Sequence, residues 1–260
     1  MQTPTLRILL VPLAAAFLNA QPDTGSSDGR GGLRQPVKPA ELKPELTAEQ
    51  RADIYMARKM YREAIDLYRS IKPETAITMN KIGIAHHQMM DIGNARRHYE
   101  RAVKMNSKYS EAVNNLGTIH YAQKSYRRAI GYYRRALTLA PMSASIYSNL
   151  GTAYFARKKY EDAAKAYEKA LELDPEVFEH RGSYGVMLQE RSVEEKAKFH
   201  FYLAKTYAKA GQNDRALLYI RKAIEEGFKD KRQLTESGEF AAMQALPEFQ
   251  ELLKLEPRVL

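Results

Sequence analysis

The sequence predicts an all-α chain in which antiparallel helix pairs stack into a solenoid. Three observations lead there. Residues 144–175 hold two apolar stripes of helical period joined by a short basic turn, the same unit recurs 34 residues earlier, and each copy closes on a proline. In the later copy the first stripe is Tyr147, Leu150, Ala153 and Tyr154, and the second is Tyr160, Ala163, Ala164, Tyr167, Ala170 and Leu171. One apolar stripe per helix, with alanine where two helices approach closely, is the signature of helices that bury one face on a neighbour. Pro175 stops the second helix because it lacks the amide donor that a helix interior needs.

A shift of 34 residues maps Leu116 onto Leu150, Gly117 onto Gly151, Tyr126 onto Tyr160, Ala129 onto Ala163, Tyr133 onto Tyr167, Ala136 onto Ala170 and Pro141 onto Pro175. A helix–turn–helix unit of this period and pattern resembles the tetratricopeptide repeat, over residues 76–175 and with divergent copies on either side. The resemblance implies a right-handed superhelix whose inner surface is lined by the first helix of each pair and binds an extended peptide or a partner helix. Each unit is too small to bury its apolar face alone, so stacked neighbours create the core.

In chain order, Arg7 precedes an apolar run from Ile8 to Leu18. The run is too short to cross a bilayer but fits the core of a secretory signal peptide over 1–20, with cleavage expected after Ala20. No cysteine follows it, which excludes a lipoprotein anchor. Residues 21–46 are rich in Gly, Pro, Ser and Asp and carry no apolar period, so they read as a flexible linker. A divergent first repeat covers 47–75, opened by a capping box of Thr47 and Gln50. Arg51-Ala52 stands in it for the Leu-Gly pair, and Ala64 lies 31 residues before Ala95, which requires a shortened second helix or turn. Three regular repeats fill 76–175. The glycine at their eighth position, which costs about 1 kcal/mol against alanine in a helix interior, is read as the point of close helix packing. Residues 176–191 read as an irregular insertion. A fifth repeat spans 192–227, opened by a capping box of Ser192 and Glu195. Residues 228–260 hold two short amphipathic helices, split at Leu246-Pro247, suited to cover the apolar end of the array.

The chain has no cysteine, which removes disulfides, thiolate metal sites and a cysteine nucleophile. No hydrolase, metalloprotease or phosphate-loop motif is present, and no carboxylate pair stands on an apolar face. The reading is therefore non-catalytic, with no cofactor. His86 and His120 share the eleventh repeat position, where later repeats carry Tyr154 and Tyr207. Metal sharing between them is the less favoured reading, and substitution for core tyrosine is the favoured one.

Carried onto this sequence, the family's inner surface falls on Asn80, Ile84, His87 and Gln88 in the second repeat and Glu111, Asn114, Thr118 and Tyr121 in the third. It falls on Ser148, Thr152 and Phe155 in the fourth, and Lys198, Phe201, Lys205 and Lys209 in the fifth. Amides pair with a ligand's backbone and aromatic rings supply anchoring area. The subclass that clamps the C-terminal carboxylate of heat-shock chaperones is not expected: Asn115 fits one clamp position, but Ile84, Ser145 and Asn149 do not fit theirs. Net charge is +10, with eleven Lys/Arg against three Asp/Glu between Ala76 and Pro141. Arg96, Arg97, Arg127, Arg128, Arg134 and Arg135 lie on second helices, which face outward, and would form a basic stripe. The sequence thus predicts an exported bacterial scaffold that holds a peptide or partner protein in its trough. The alternative is a module whose basic outer face meets a cell-wall polymer, anionic lipid or nucleic acid.

Overall fold

The computed structural model describes residues 45–179 and 192–256, and every regular element among them is helical. The predicted signal segment, the linker up to residue 44 and the part of the insertion from 180 to 191 lie outside the described residues. The elements run as pairs: α1 (Ala48–Ala57) with α2 (Tyr61–Ser70), α3 (Ala76–Gln88) with α4 (Ile92–Met105), and α5 (Ser110–Ala122) with α6 (Tyr126–Leu139). Then come α7 (Ala144–Ala156) with α8 (Tyr160–Leu173), and α9 (Val193–Lys209) with α10 (Asn213–Glu225). Each helix packs on the next, and the second helix of one pair packs on the first of the following pair. This is an all-α solenoid.

The two helices of a pair differ in how they are buried. Second helices bury one stripe, such as Ala129, Ile130, Tyr133 and Ala136 on α6. First helices in the middle of the stack are enclosed, and every residue of α7 from Ser148 to Phe155 is buried. Within each regular pair a tyrosine of the second helix lies flat against the glycine of the first. A methyl group at Gly83, Gly117 or Gly151 would stand 2.5–2.6 Å from ring carbons of Tyr99, Tyr133 or Tyr167. The glycine is the residue whose missing side chain leaves room for a wholly buried ring. In the fifth pair the ring is replaced by the smaller Ile220, and Ala204 takes the glycine's place.

The turns inside the pairs share one conformation. Lys59, Met90, Lys124 and Lys158 have φ between 57° and 61°, and Gly211 has φ 73°. In each, the next residue's amide reaches back five residues to the first helix: Met60 to Tyr55, Asp91 to His86, Ser125 to His120, Lys159 to Tyr154 and Gln212 to Tyr207, at 2.8–3.0 Å. That bond satisfies a carbonyl that the helix end would otherwise leave open. It repays part of the ~1–2 kcal/mol that a left-handed backbone costs a residue other than glycine.

The shortened first repeat has a definite origin. Helix α2 has 10 residues where α4, α6 and α8 have 14, and the loop after it is one residue longer, which yields the 31-residue spacing. Thr47 forms both halves of its capping box with Gln50. The box expected at Ser192 is half made: the Ser192 hydroxyl accepts from the Glu195 amide at 3.1 Å, but the Glu195 carboxylate does not return to the Ser192 backbone. Glu195 is exposed, so its charge is better served by solvent.

The tail departs from the expectation of two amphipathic α-helices. A short α11 (Lys231–Glu236) comes first, then a 3-10 helix at Gly238–Met243, then α12 (Pro247–Lys254). Phe240 and Met243 are three residues apart and both buried, and a helix of three residues per turn puts both on one face. With Leu234, Phe249 and Leu252 they cover the end of the fifth pair, where Phe240 meets Phe201 at 6.0 Å and Phe201 stacks on Phe228 at 4.3 Å.

Candidate functional site

Two of the amides proposed as ligand contacts, Asn80 and Asn114, are each engaged by an asparagine of the next first helix. The Asn149 side chain donates to Asn114 Oδ1 (3.1 Å), Asn114 donates to Asn115 Oδ1 (3.4 Å), and Asn115 donates to Asn80 Oδ1 (2.9 Å). Asn80 donates to the Tyr109 hydroxyl (3.4 Å), which donates to Glu111 (2.6 Å). This ladder crosses α3, α5 and α7, pairing the fifth position of one first helix with the sixth position of the next. Asn80 is buried at 1% exposure, while Asn114 and Asn115 are half-exposed. The ladder fixes the amide planes, so Asn114 and Asn115 present spare hydrogen-bonding capacity in a set orientation.

Beyond α7 the ladder stops, because the sixth position of the fifth repeat, on α9, is Tyr202. Rings take its place. Tyr121 and Tyr126 lie 5.2 Å apart, Phe155 and Tyr160 lie 5.3 Å apart, and Tyr160 stacks on Tyr202 at 4.7 Å. A cavity of about 420 Å³ opens among Tyr121, Tyr126, Phe155 and Tyr160, ringed by Lys124 and Lys158 from two successive turns and by Lys198, Glu194 and Glu195 of α9. The Lys198 ammonium sits 4.3 Å above the Tyr160 ring. A second hollow of about 230 Å³ lies on the other side of Tyr160, walled by Tyr202, Glu161, Glu168 and Lys205. There the cations are paired, Lys205 with Glu239 (3.1 Å) and Lys209 with Glu168 (2.8 Å).

Models of the tetratricopeptide repeat match residues 80–144 and 144–177. Residues 80–177 hold tetratricopeptide repeats. No curated protein matches it. Among solved structures, the crystal structure of the APC/C hetero-tetramer Cut9-Hcn1 aligns over 80% of this chain and 35% of its own, with TM-score 0.51 and 18% identity. That is a likeness of fold. A crystal structure of MamA aligns over 67% of this chain and 93% of its own (TM-score 0.46, 21% identity). MamA from Desulfovibrio magneticus RS-1 aligns over 69% and 92% (TM-score 0.47, 20% identity).

In the tetratricopeptide array the remaining inner-surface candidates fall in different settings. His87 is half-buried with its Nδ1 3.5 Å from the Tyr99 hydroxyl, and burial lowers its pKa. Gln88 is exposed and Thr118 half-buried. Ser148 is buried, its carbonyl accepting from Thr152 at 3.0 Å. Tyr121 and Phe155 are 8% and 5% exposed and belong as much to the core as to the cavity they line. Of the arginines, Arg96 pairs with Glu100 at 2.7 Å, Arg134 donates to the Tyr154 hydroxyl at 2.5 Å, and Arg135 reaches the Ser107 carbonyl at 3.4 Å. Arg97, Arg127 and Arg128 are exposed without a hydrogen bond or ion pair among the described residues. Arg134 and Arg135 thus tie neighbouring repeats together rather than forming a free stripe.

The histidines follow a repeat rule of their own. His86 stacks on His98 at 5.4 Å, His120 on Tyr132 at 5.0 Å, and Tyr207 on Tyr219 at 5.2 Å, always the eleventh position on the twenty-third. In the fourth repeat the twenty-third position is Ala166, and Arg134 lies over the Tyr154 ring instead, at 5.7 Å. Among the described residues no three histidines or carboxylates gather as metal ligands. Sequence alone presents Tyr160 only as a core residue and Asn149 only as a misfit to the clamp, and it does not single out Tyr202 or the turn lysines. Lys124 and Lys158 did carry a signal, since they recur at the repeat spacing.

Proposed function

We propose that this chain is a non-catalytic scaffold that holds an extended peptide or a segment of a partner protein against the first helices of its second to fifth repeats. The observation that carries the reading is the preorganised row of amides on successive first helices, running into an aromatic wall that Tyr160 at the start of α8 and Tyr202 of α9 continue. Side chains already fixed by their neighbours lose little entropy on binding, so a partner's backbone and rings meet a surface of set geometry. The apolar run of Ile8–Leu18 behind Arg7 supports export, and on this reading the partner is met in the bacterial envelope.

The test is capture of partners from an envelope fraction by the full chain. Tyr121 and Phe155 are core residues, so the perturbation is Gln88→Arg with Glu111→Arg, two exposed positions of the inner surface. Capture lost in this variant, with its thermal unfolding kept within a few degrees of the parent, supports the reading. Undiminished capture rejects it. Export is tested separately, by the N-terminal residue of the protein recovered outside the cytoplasm of a bacterial host; an N-terminus at Met1 refutes cleavage.

A further inference from the structure

We infer that the cavity between the third and fourth turns and α9 is a subsite for an acidic side chain flanked by an apolar one, within an extended peptide. The inference rests on the scaffold reading and names the chemistry of its partner. Three features lead to it. First, the walls are four aromatic rings, which take an apolar or aromatic neighbour by area and ring contact. Second, the rim carries the ammonium groups of Lys124, Lys158 and Lys198, and none of them is in an ion pair among the described residues, whereas Lys205 and Lys209 of the adjoining hollow both are. Glu194 and Glu195 stand on the α9 side of the rim, in the first turn of that helix, where they complement its positive end. The two turn lysines on the opposite side are left for a ligand's carboxylate. Third, the two hollows share Tyr160 as a wall, so consecutive residues of one extended chain can occupy both.

The turn lysines also stand at a costly place. Lys124 and Lys158 have φ 57° and 59°, where glycine would be the unstrained choice, as it is at Gly211 in the fifth repeat. Both are exposed, and neither side chain makes a hydrogen bond or ion pair among the described residues that would add to what the turn's backbone bonds repay. A side chain in a position that favours having none fits an outward-facing role for its charge.

The experiment is selection of random heptapeptides on phage, fused through their C-termini so that every available carboxylate belongs to a side chain. Full-length chain and its Lys124→Glu/Lys158→Glu variant serve as parallel baits, both checked by circular dichroism. Expected are binders enriched in Asp or Glu next to Phe, Tyr or Leu on the parent. On the variant that enrichment is lost, and the selected peptides bind at least about tenfold more weakly. Binders without acidic enrichment, or the same acidic enrichment on both baits, overturn the inference while leaving the scaffold reading in place. Absence of any binder on the parent overturns both.

Discussion

Replacing Gly117 and Gly131 by alanine, one at a time, should shift stability in opposite directions although both glycines lie inside helices of one repeat. At Gly117 the new methyl would stand 2.5, 2.7 and 3.2 Å from Cε1, Cδ1 and Cζ of Tyr133. Ordinary carbon contacts need ~3.5–4 Å, so α5 and α6 must part by about 1 Å or the ring must turn. Tyr133 is wholly buried and its hydroxyl is 3.4 Å from Thr118 Oγ1, so it has nowhere to go. Overpacking of this kind costs about 1–3 kcal/mol, against roughly 1 kcal/mol gained in helix propensity. A contact as close as 2.5 Å puts the cost at the upper end, so the net expectation for Gly117→Ala is a loss of about 1–2 kcal/mol, or ~2–8 °C in Tm for a domain of this size. Gly131 is exposed on α6 with nothing within 4 Å of a built methyl group, so Gly131→Ala should gain about 0.5–1 kcal/mol. A third variant checks the cause. The fifth repeat pairs Ala204 with Ile220, so Gly117→Ala should cost less in a Tyr133→Ile background than in the parent. The first repeat pairs Ala52 with Tyr68, but α1 has no preceding helix among the described residues and can stand off, whereas α5 is held between its neighbours. Thermal unfolding by circular dichroism reads all three; a Gly117→Ala protein as stable as the parent would refute the packing argument.

Three further outcomes follow from the same geometry. Asn115→Leu removes the donor to Asn80 Oδ1 and the acceptor of the Asn114 amide, and should destabilise by about 1–3 kcal/mol in urea unfolding, with Gln123→Leu, an exposed residue after the same helix, near neutral. Lys59→Gly, at φ 61°, should raise stability by roughly 0.5 kcal/mol, the relief of left-handed strain less the added freedom of the unfolded chain. Burial lowers the pKa of His87, His98 and His120 below the ordinary 6.5, and at His98 and His120 nearby positive groups add to the effect. The unfolded chain therefore takes up protons that the folded chain refuses as pH falls through 6.5, so Tm should be lower at pH 5.5 than at pH 7.5, and less so in His98→Phe. A flat profile across that window would show that these imidazoles are not held neutral by the fold.

What the sequence discloses depends on whether a residue's surroundings repeat. Gly117, Ala129, Tyr133 and Ala136 have the same neighbours in every regular pair, so their spacing alone exposes both the helices and the close approach at the glycine. The 3-10 turn at Gly238–Met243 occurs once and has no counterpart to be compared with, and its apolar pair three residues apart is compatible with either helix type. The inner surface was legible as positions and not as chemistry. Asn80 and Asn114 recur where a ligand would lie, but a recurring amide is equally suited to the next repeat, and Asn115 and Asn149, one residue further on, are the partners that engage it. Likewise Arg134 reads as surface charge until the alanine at 166 is seen to leave the Tyr154 ring open for it.

That double use of the amides bears on where a partner gains most. Through the third and fourth repeats, a ligand that competes for an Asn must break a bond that holds two first helices together, so part of what it gains there is lost from the stack. Beyond Asn149 no such bond exists among the described residues. Tyr202 replaces the next amide, and 19 residues, 174–192, lie in sequence between α8 and α9 where four join the regular repeats. Rings and ammonium groups of Lys124, Lys158 and Lys198 are therefore concentrated where a ligand need not break an amide bond between first helices. Two consequences can be separated by double-mutant cycles: changes at Lys124 or Lys158 should alter peptide affinity without altering stability, while changes at Asn114 should alter both together.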